Sequence, residues 1–138
     1  MLQFYLLSVA ANFLAGATLS ADWVSGRFSS LSGILRALSA RRARMITGLA
    51  SLLVGLGTLF VPAGPPLILG DLFPSSVGIA VGIALLFEVL KQEALLAGEQ
   101  SPRDERIVKG PLAYRTALGA FAFAAAILHF FLPERLFL

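Results

Sequence analysis

The chain has 138 residues, 57% of them hydrophobic and 14% charged, with a formal net charge of +3 and a mean hydropathy of +0.83. Soluble domains carry about 45–50% apolar and about 25% charged residues, so a water-exposed fold of this length could not hide so much apolar surface. The chain has no cysteine, which excludes disulfides, iron–sulfur clusters, thiol catalysis and thiolate zinc sites together.

The length suits a single domain covering 1–138. The first apolar segment, about 2–22, is free of charge up to Asp22. It is expected to be a retained spanning helix rather than a cleaved leader, because no basic region precedes it and the first basic residue is Arg27. Leu31, Ile34, Leu35 and Leu38 then recur at i, i+3, i+4 and i+7, which predicts a short amphipathic helix between spans one and two. Arg36, Arg41 and Arg42 flank that stripe and are candidates for contact with lipid phosphate on the inner leaflet, the alternative being a helix packed under the bundle.

The second span is expected at about 45–62. The uncharged run continues beyond it, but Pro62, Gly64, Pro65 and Pro66 end the helix, since proline lacks the N–H and clashes with the preceding turn. Residues 61–73 are expected to form a short apolar hairpin at the outer interface, with Asp71 capping the turn before span three. The third span, about 74–90, begins with Pro74 in its first turn and carries Glu88 near its end. A solvated loop of mixed charge follows. The fourth span, about 112–132, has Arg115 near its start. Each span is close to the 20 or so apolar residues needed to cross a bilayer. The predicted fold is all-α, a four-transmembrane-helix bundle.

Ten of the eleven basic residues lie between spans one and two or around the loop between spans three and four, and only Arg135 lies elsewhere. The positive-inside rule puts both basic connections in the cytoplasm and both termini outside, in a plasma or bacterial inner membrane. The same distribution argues against nucleic acid, for which aromatic residues would interleave with the basic ones.

An internal repeat is also expected. An offset of 71 lays span two on span four, matching Arg44 with Arg115, Gly48 with Gly119 and Phe60 with Phe131. An offset of 66 lays span one on span three, matching Gly16 with Gly82, Leu19 with Leu85 and Asp22 with Glu88. This describes a direct two-plus-two repeat with its pseudo-two-fold axis along the membrane normal. Gly48, Ser51, Gly55 and Thr58 form a helical stripe of small residues, matched by Gly119, Ala122, Ala126 and His129, and Gly78 and Gly82 form a GxxxG pair. Such stripes let membrane helices approach closely.

Ionisable groups inside a bilayer are costly and point to function, yet none lies near a predicted span centre. Asp22 and Glu88 fall at cytoplasmic helix ends, where the helix dipole disfavours an anion, so each is expected to pair with Arg44 or Arg115 at an inner rim. Thr58 and His129 are the candidate outer polar positions. Asn12 is a candidate for bonding across helices, and Trp23 for interfacial anchoring. No hydrolase, phosphate-binding, dinucleotide or metalloprotease motif occurs, so neither enzyme activity nor a cofactor or metal is expected. The sequence reads best as a structural or accessory membrane subunit. It would pack against itself or partner helices and touch anionic inner-leaflet lipid, the alternative being a small oligomeric channel or transporter along the repeat axis.

Overall fold

In the computed structural model, residues 2–60, 72–98 and 114–131 are described, and they are helical apart from short turns. The six α-helices are α1 (Leu2–Leu19), α2 (Ala21–Arg27), α3 (Ser32–Ser39), α4 (Arg41–Phe60), α5 (Leu72–Leu96) and α6 (Arg115–Phe131). The hairpin expected at 61–73 falls almost wholly outside the described residues, as do Asp71, Arg135 and most of the loop before α6.

Among the described residues two helices are long and apolar enough to cross a membrane, Arg41–Phe60 and Leu72–Ala94. The apolar parts of α1 and α6, Tyr5–Leu19 and Arg115–Phe131, are shorter. At 1.5 Å per residue a 17-residue helix such as α6 is about 25 Å long, against a hydrocarbon core of about 30 Å. Helical hydrogen bonding nevertheless continues from α1 into α2. Ser20 N donates to Gly16 O and Val24 N to Ser20 O, each at 3.0 Å, so the helical path runs on through Ser20.

The boundaries differ from the expected ones for local reasons. Helix α4 starts at Arg41 rather than Met45, because Arg-Arg-Ala-Arg has high helix propensity and nothing in it breaks the helix. Helix α5 runs past Leu90 to Leu96 through Lys-Gln-Glu-Ala, again good helix formers, and is followed by Gly98 at φ 75°. That left-handed conformation carries no Cβ penalty at glycine and is a common helix stop. The expected stripe of α3 divides: Leu35 is buried and Leu38 half-buried, whereas Leu31 and Ile34 stay exposed. Helix α3 touches α1, α2 and α4, so it both packs on the bundle and keeps an outward apolar edge.

Small residues decide how the helices meet. Helices α1 and α6 run antiparallel, and a methyl group on Gly16 would lie 2.7 Å from Phe123 N and 2.8 Å from Gly119 O. Helices α4 and α5 also run antiparallel, and a methyl group on Gly82 would lie 2.8 Å from both Gly48 O and Leu52 N. Only glycine allows backbones to approach this closely. The two seams use matched positions, since offsets of 66 and 71 carry Gly16, Gly119 and Phe123 onto Gly82, Gly48 and Leu52.

Hydrogen bonds join the pairs. Ser51 Oγ donates to Ala11 O at 3.2 Å, and Asn12 Nδ2 donates to Pro74 O at 3.1 Å, tying α1 to α4 and to the parallel α5. The buried core of Ala15, Leu19, Val77, Val81, Leu85, Ala122 and Ala125 lies among α1, α5 and α6.

Large apolar side chains point outward. Phe60 is 83% exposed, and Ile46, Leu53, Leu90 and Phe131 are all more than half exposed. A soluble helical domain has the opposite arrangement, with its largest apolar groups inside.

Candidate functional site

The charged end of the bundle is built from the first turn of α2, the second half of α5 and the first turns of α4 and α6. Glu88 is 9% exposed and receives two guanidinium groups, Arg44 Nη1 at 3.3 Å and Arg115 Nη1 at 3.3 Å. Arg115 Nη2 also pairs with Asp22 Oδ2. Asp22, Arg115, Glu88 and Arg44 thus form one chain of alternating charge across four helices. The sequence leaves the partner of each carboxylate open between the two arginines; in the structure Asp22 meets Arg115 and Glu88 meets both. That one arginine, Arg115, bridges the two carboxylates goes beyond two separate pairs. It arises because α1, which leads directly into Asp22 at the start of α2, lies beside α5, so one guanidinium on α6 can reach both carboxylates.

Arg41 pairs with Glu93, which sequence reasoning left among ordinary loop charges. Continuation of α5 past Leu90 is what carries Glu93 to it. Arg41 is therefore engaged within the protein, while Arg36 and Arg42 are exposed. Arg27 lies over the Trp23 ring, 4.9 Å from its centroid, and both side chains are exposed. A groove of about 360 Å³ opens between α2 and α3, lined by Asp22, Ser25, Ser32, Leu35, Arg36 and Ser39, with Ala21 and Gly26.

The opposite end is polar but holds no carboxylate among the described residues. Thr58 Oγ1 donates back to Val54 O or Gly55 O, both at 3.0 Å, and lies 2.7 Å from Ser75 Oγ. His129 is buried, with its ring centroid 4.7 Å from that of Tyr5, whose hydroxyl donates to His129 O. Thr58 and His129 therefore sit at the same end but on separate seams. Tyr5 carries no obvious sequence signal. Ser75 could have been found from its spacing, since Ser75, Gly78 and Gly82 fall on one face of α5.

Between these ends the packing positions Gly48, Ser51, Gly55, Gly78, Gly82, Gly119, Ala122 and Ala126 are all buried. A methyl group on Gly78 would lie 3.2 Å from Asn12 Oδ1, and one on Gly55 would lie 2.9 Å from Ile79 N. Asn12 Oδ1 and Ser8 Oγ are buried without a hydrogen-bond partner among the described residues. An open apolar groove of about 450 Å³ runs along the α1–α6 seam, with Leu6, Ala10, Phe13, Ile127, Phe130 and Phe131 on its walls. Among the described residues no three His, Asp or Glu side chains converge as metal ligands.

The fold is thus an all-helical assembly with a small-residue interior, an apolar outer surface and one charged rim. Residues 1–129 match an uncharacterised protein family, and the chain belongs to that family. No curated protein and no solved structure matches the chain at significant similarity.

Proposed function

We propose that the protein crosses a plasma or bacterial inner membrane four times and serves as a structural or accessory subunit that packs against a second copy or partner helices. The observation that carries this reading is the apolar groove along α1 and α6, flanked by large side chains that point away from the bundle. In water such a surface would drive aggregation, whereas in a bilayer it meets lipid tails or another helix. Continuous hydrogen bonding through Ser20 carries the first helix past Leu19 to Asp22 at the rim, which supports a first crossing longer than α1 alone. Both termini lie outside on this reading, and the charged rim, with α2 and α3, lies at the cytoplasmic face.

The matched glycine seams and the Asp22–Arg115 and Glu88–Arg44 pairs support a direct two-plus-two repeat. The ion-pair chain then acts as a staple between the halves. Arg36 and Arg42 are the side chains free to meet inner-leaflet phosphate.

A small oligomeric channel or transporter is the second reading, favoured by one observation. Buried polar side chains concentrate in the half of the bundle away from the charged rim, namely Ser8, Asn12, Ser51, Thr58, Ser75 and His129.

Single cysteines introduced at Ser30 and Phe60 test the topology, since the chain has no native cysteine. An impermeant maleimide should label the Phe60 variant in intact cells and the Ser30 variant only after permeabilisation. The groove is tested by Ala10→Phe, expected to shift the purified protein from an oligomer or complex to a monomer in mild detergent. Wild-type protein that conducts solute in vesicles as a homo-oligomer, with no partner present, would replace the first reading by the second.

A further inference from the structure

We propose that the groove between α2 and α3 binds the headgroup of a phospholipid that carries a primary ammonium, with its phosphate on Arg36 and its ammonium on Asp22. This rests on the bilayer reading above, in which that end of the bundle lies at the headgroup layer. The groove is about 360 Å³ and brings together a guanidinium, a carboxylate and the hydroxyls of Ser25, Ser32 and Ser39 over the buried Leu35. A phosphodiester accepts hydrogen bonds from both guanidinium and hydroxyl donors.

The donors are available. Arg36 forms no ion pair among the described residues, and the Ser32 and Ser39 hydroxyls take no part in a hydrogen bond there. Asp22 is engaged by Arg115 through Oδ2 only, and its side chain is 61% exposed, so Oδ1 remains open to an N–H donor. A quaternary ammonium headgroup has no N–H to offer that oxygen. A purely anionic headgroup would bring a second negative charge toward it. The chemistry therefore selects a zwitterionic headgroup with a primary amine rather than anionic lipid in general. Trp23, Phe28 and Ile34, exposed on the same segment, suit the boundary between headgroups and acyl chains.

The test uses the full chain in nanodiscs containing equal phosphatidylethanolamine, phosphatidylcholine and phosphatidylglycerol of identical acyl chains, followed by native mass spectrometry of retained lipid. Retention of phosphatidylethanolamine in preference to the other two is expected. Asp22→Asn should lower that preference by about fivefold, the equivalent of about 1 kcal/mol for a solvent-screened pair. Arg36→Ala and Ser32→Ala/Ser39→Ala, which remove phosphate contacts, should lower the retention of phosphatidylethanolamine itself, with circular dichroism unchanged. Glycerophosphoethanolamine in the buffer should leave the lipid bound, and displacement by it would assign the groove to a soluble ligand and overturn the proposal. Equal retention of the three lipids, or a preference indifferent to Asp22→Asn, would overturn it too. Extraction of the protein from membranes by carbonate without detergent would instead sink the bilayer reading itself.

Discussion

Replacing Gly16 by alanine tests the seam on which the α1–α6 pair depends. The added methyl would lie 2.7 Å from Phe123 N, 2.8 Å from Gly119 O and 3.1 Å from Phe123 Cα. All three obstacles are backbone atoms of a helix, so no side-chain rotation relieves the clash. Restoring ordinary van der Waals separation requires α1 and α6 to part by about 0.8 Å, and a gap of that size forfeits a quarter to a half of each neighbouring dispersion contact. Overpacking of this kind costs about 1–3 kcal/mol. The upper half of that range is expected, because Leu19 packs against Gly119 on the same seam. A loss of about 2 kcal/mol lowers the melting temperature of a chain this size by about 5–10 °C. Thermal unfolding in mild detergent, followed by far-ultraviolet circular dichroism, measures it. Gly57→Ala is the control, since a methyl there meets nothing within 4 Å and relieves glycine's entropy cost in mid-helix by about 0.5–1 kcal/mol. If the Gly16 variant melts no earlier than the Gly57 variant, the close-packed seam is not what holds α1 to α6.

Gly82→Ala should cost the same as Gly16→Ala to within about 0.5 kcal/mol, and the double variant should be additive to a similar margin, because the two seams share no partner. A clear inequality in calorimetric unfolding would count against the repeat. Glu88→Gln removes the anion that two arginines share, and should destabilise by about 2–3 kcal/mol, below the figure for a fully buried pair because both arginines are partly exposed. Asp22→Asn should cost about 1 kcal/mol or less, since that carboxylate is mostly exposed. Equal losses from the two variants would show that burial does not set the hierarchy within the rim. Arg41→Gln, which breaks an exposed pair with Glu93, should leave the unfolding midpoint within the error of the measurement.

Much of this arrangement follows from residue pattern alone. Uncharged runs bounded by arginines specify helices, because apolar length and helix propensity act locally. The stripe of Gly48, Ser51, Gly55 and Thr58 was legible because a 3.6-residue period needs no knowledge of the partner. The carboxylates at helix ends required arginines nearby, and two stood at matching places in the sequence.

Tertiary structure alone decided what each stripe faces. Nothing local says that Gly16 meets Gly119 rather than Gly48, or that Arg115 reaches Glu88 as well as Asp22, since both depend on which helices become neighbours. The engagement of Arg41 by Glu93 has the same origin, as does the split of the α3 stripe into an inward Leu35 and an outward Ile34. The groove between α2 and α3 exists only because the chain folds α3 back against α2. Sequence thus determined which segments are helical and which faces are small, apolar or charged, because those properties arise within one or two turns. The pairing of faces is a long-range choice, set by how closely glycine-lined backbones can approach.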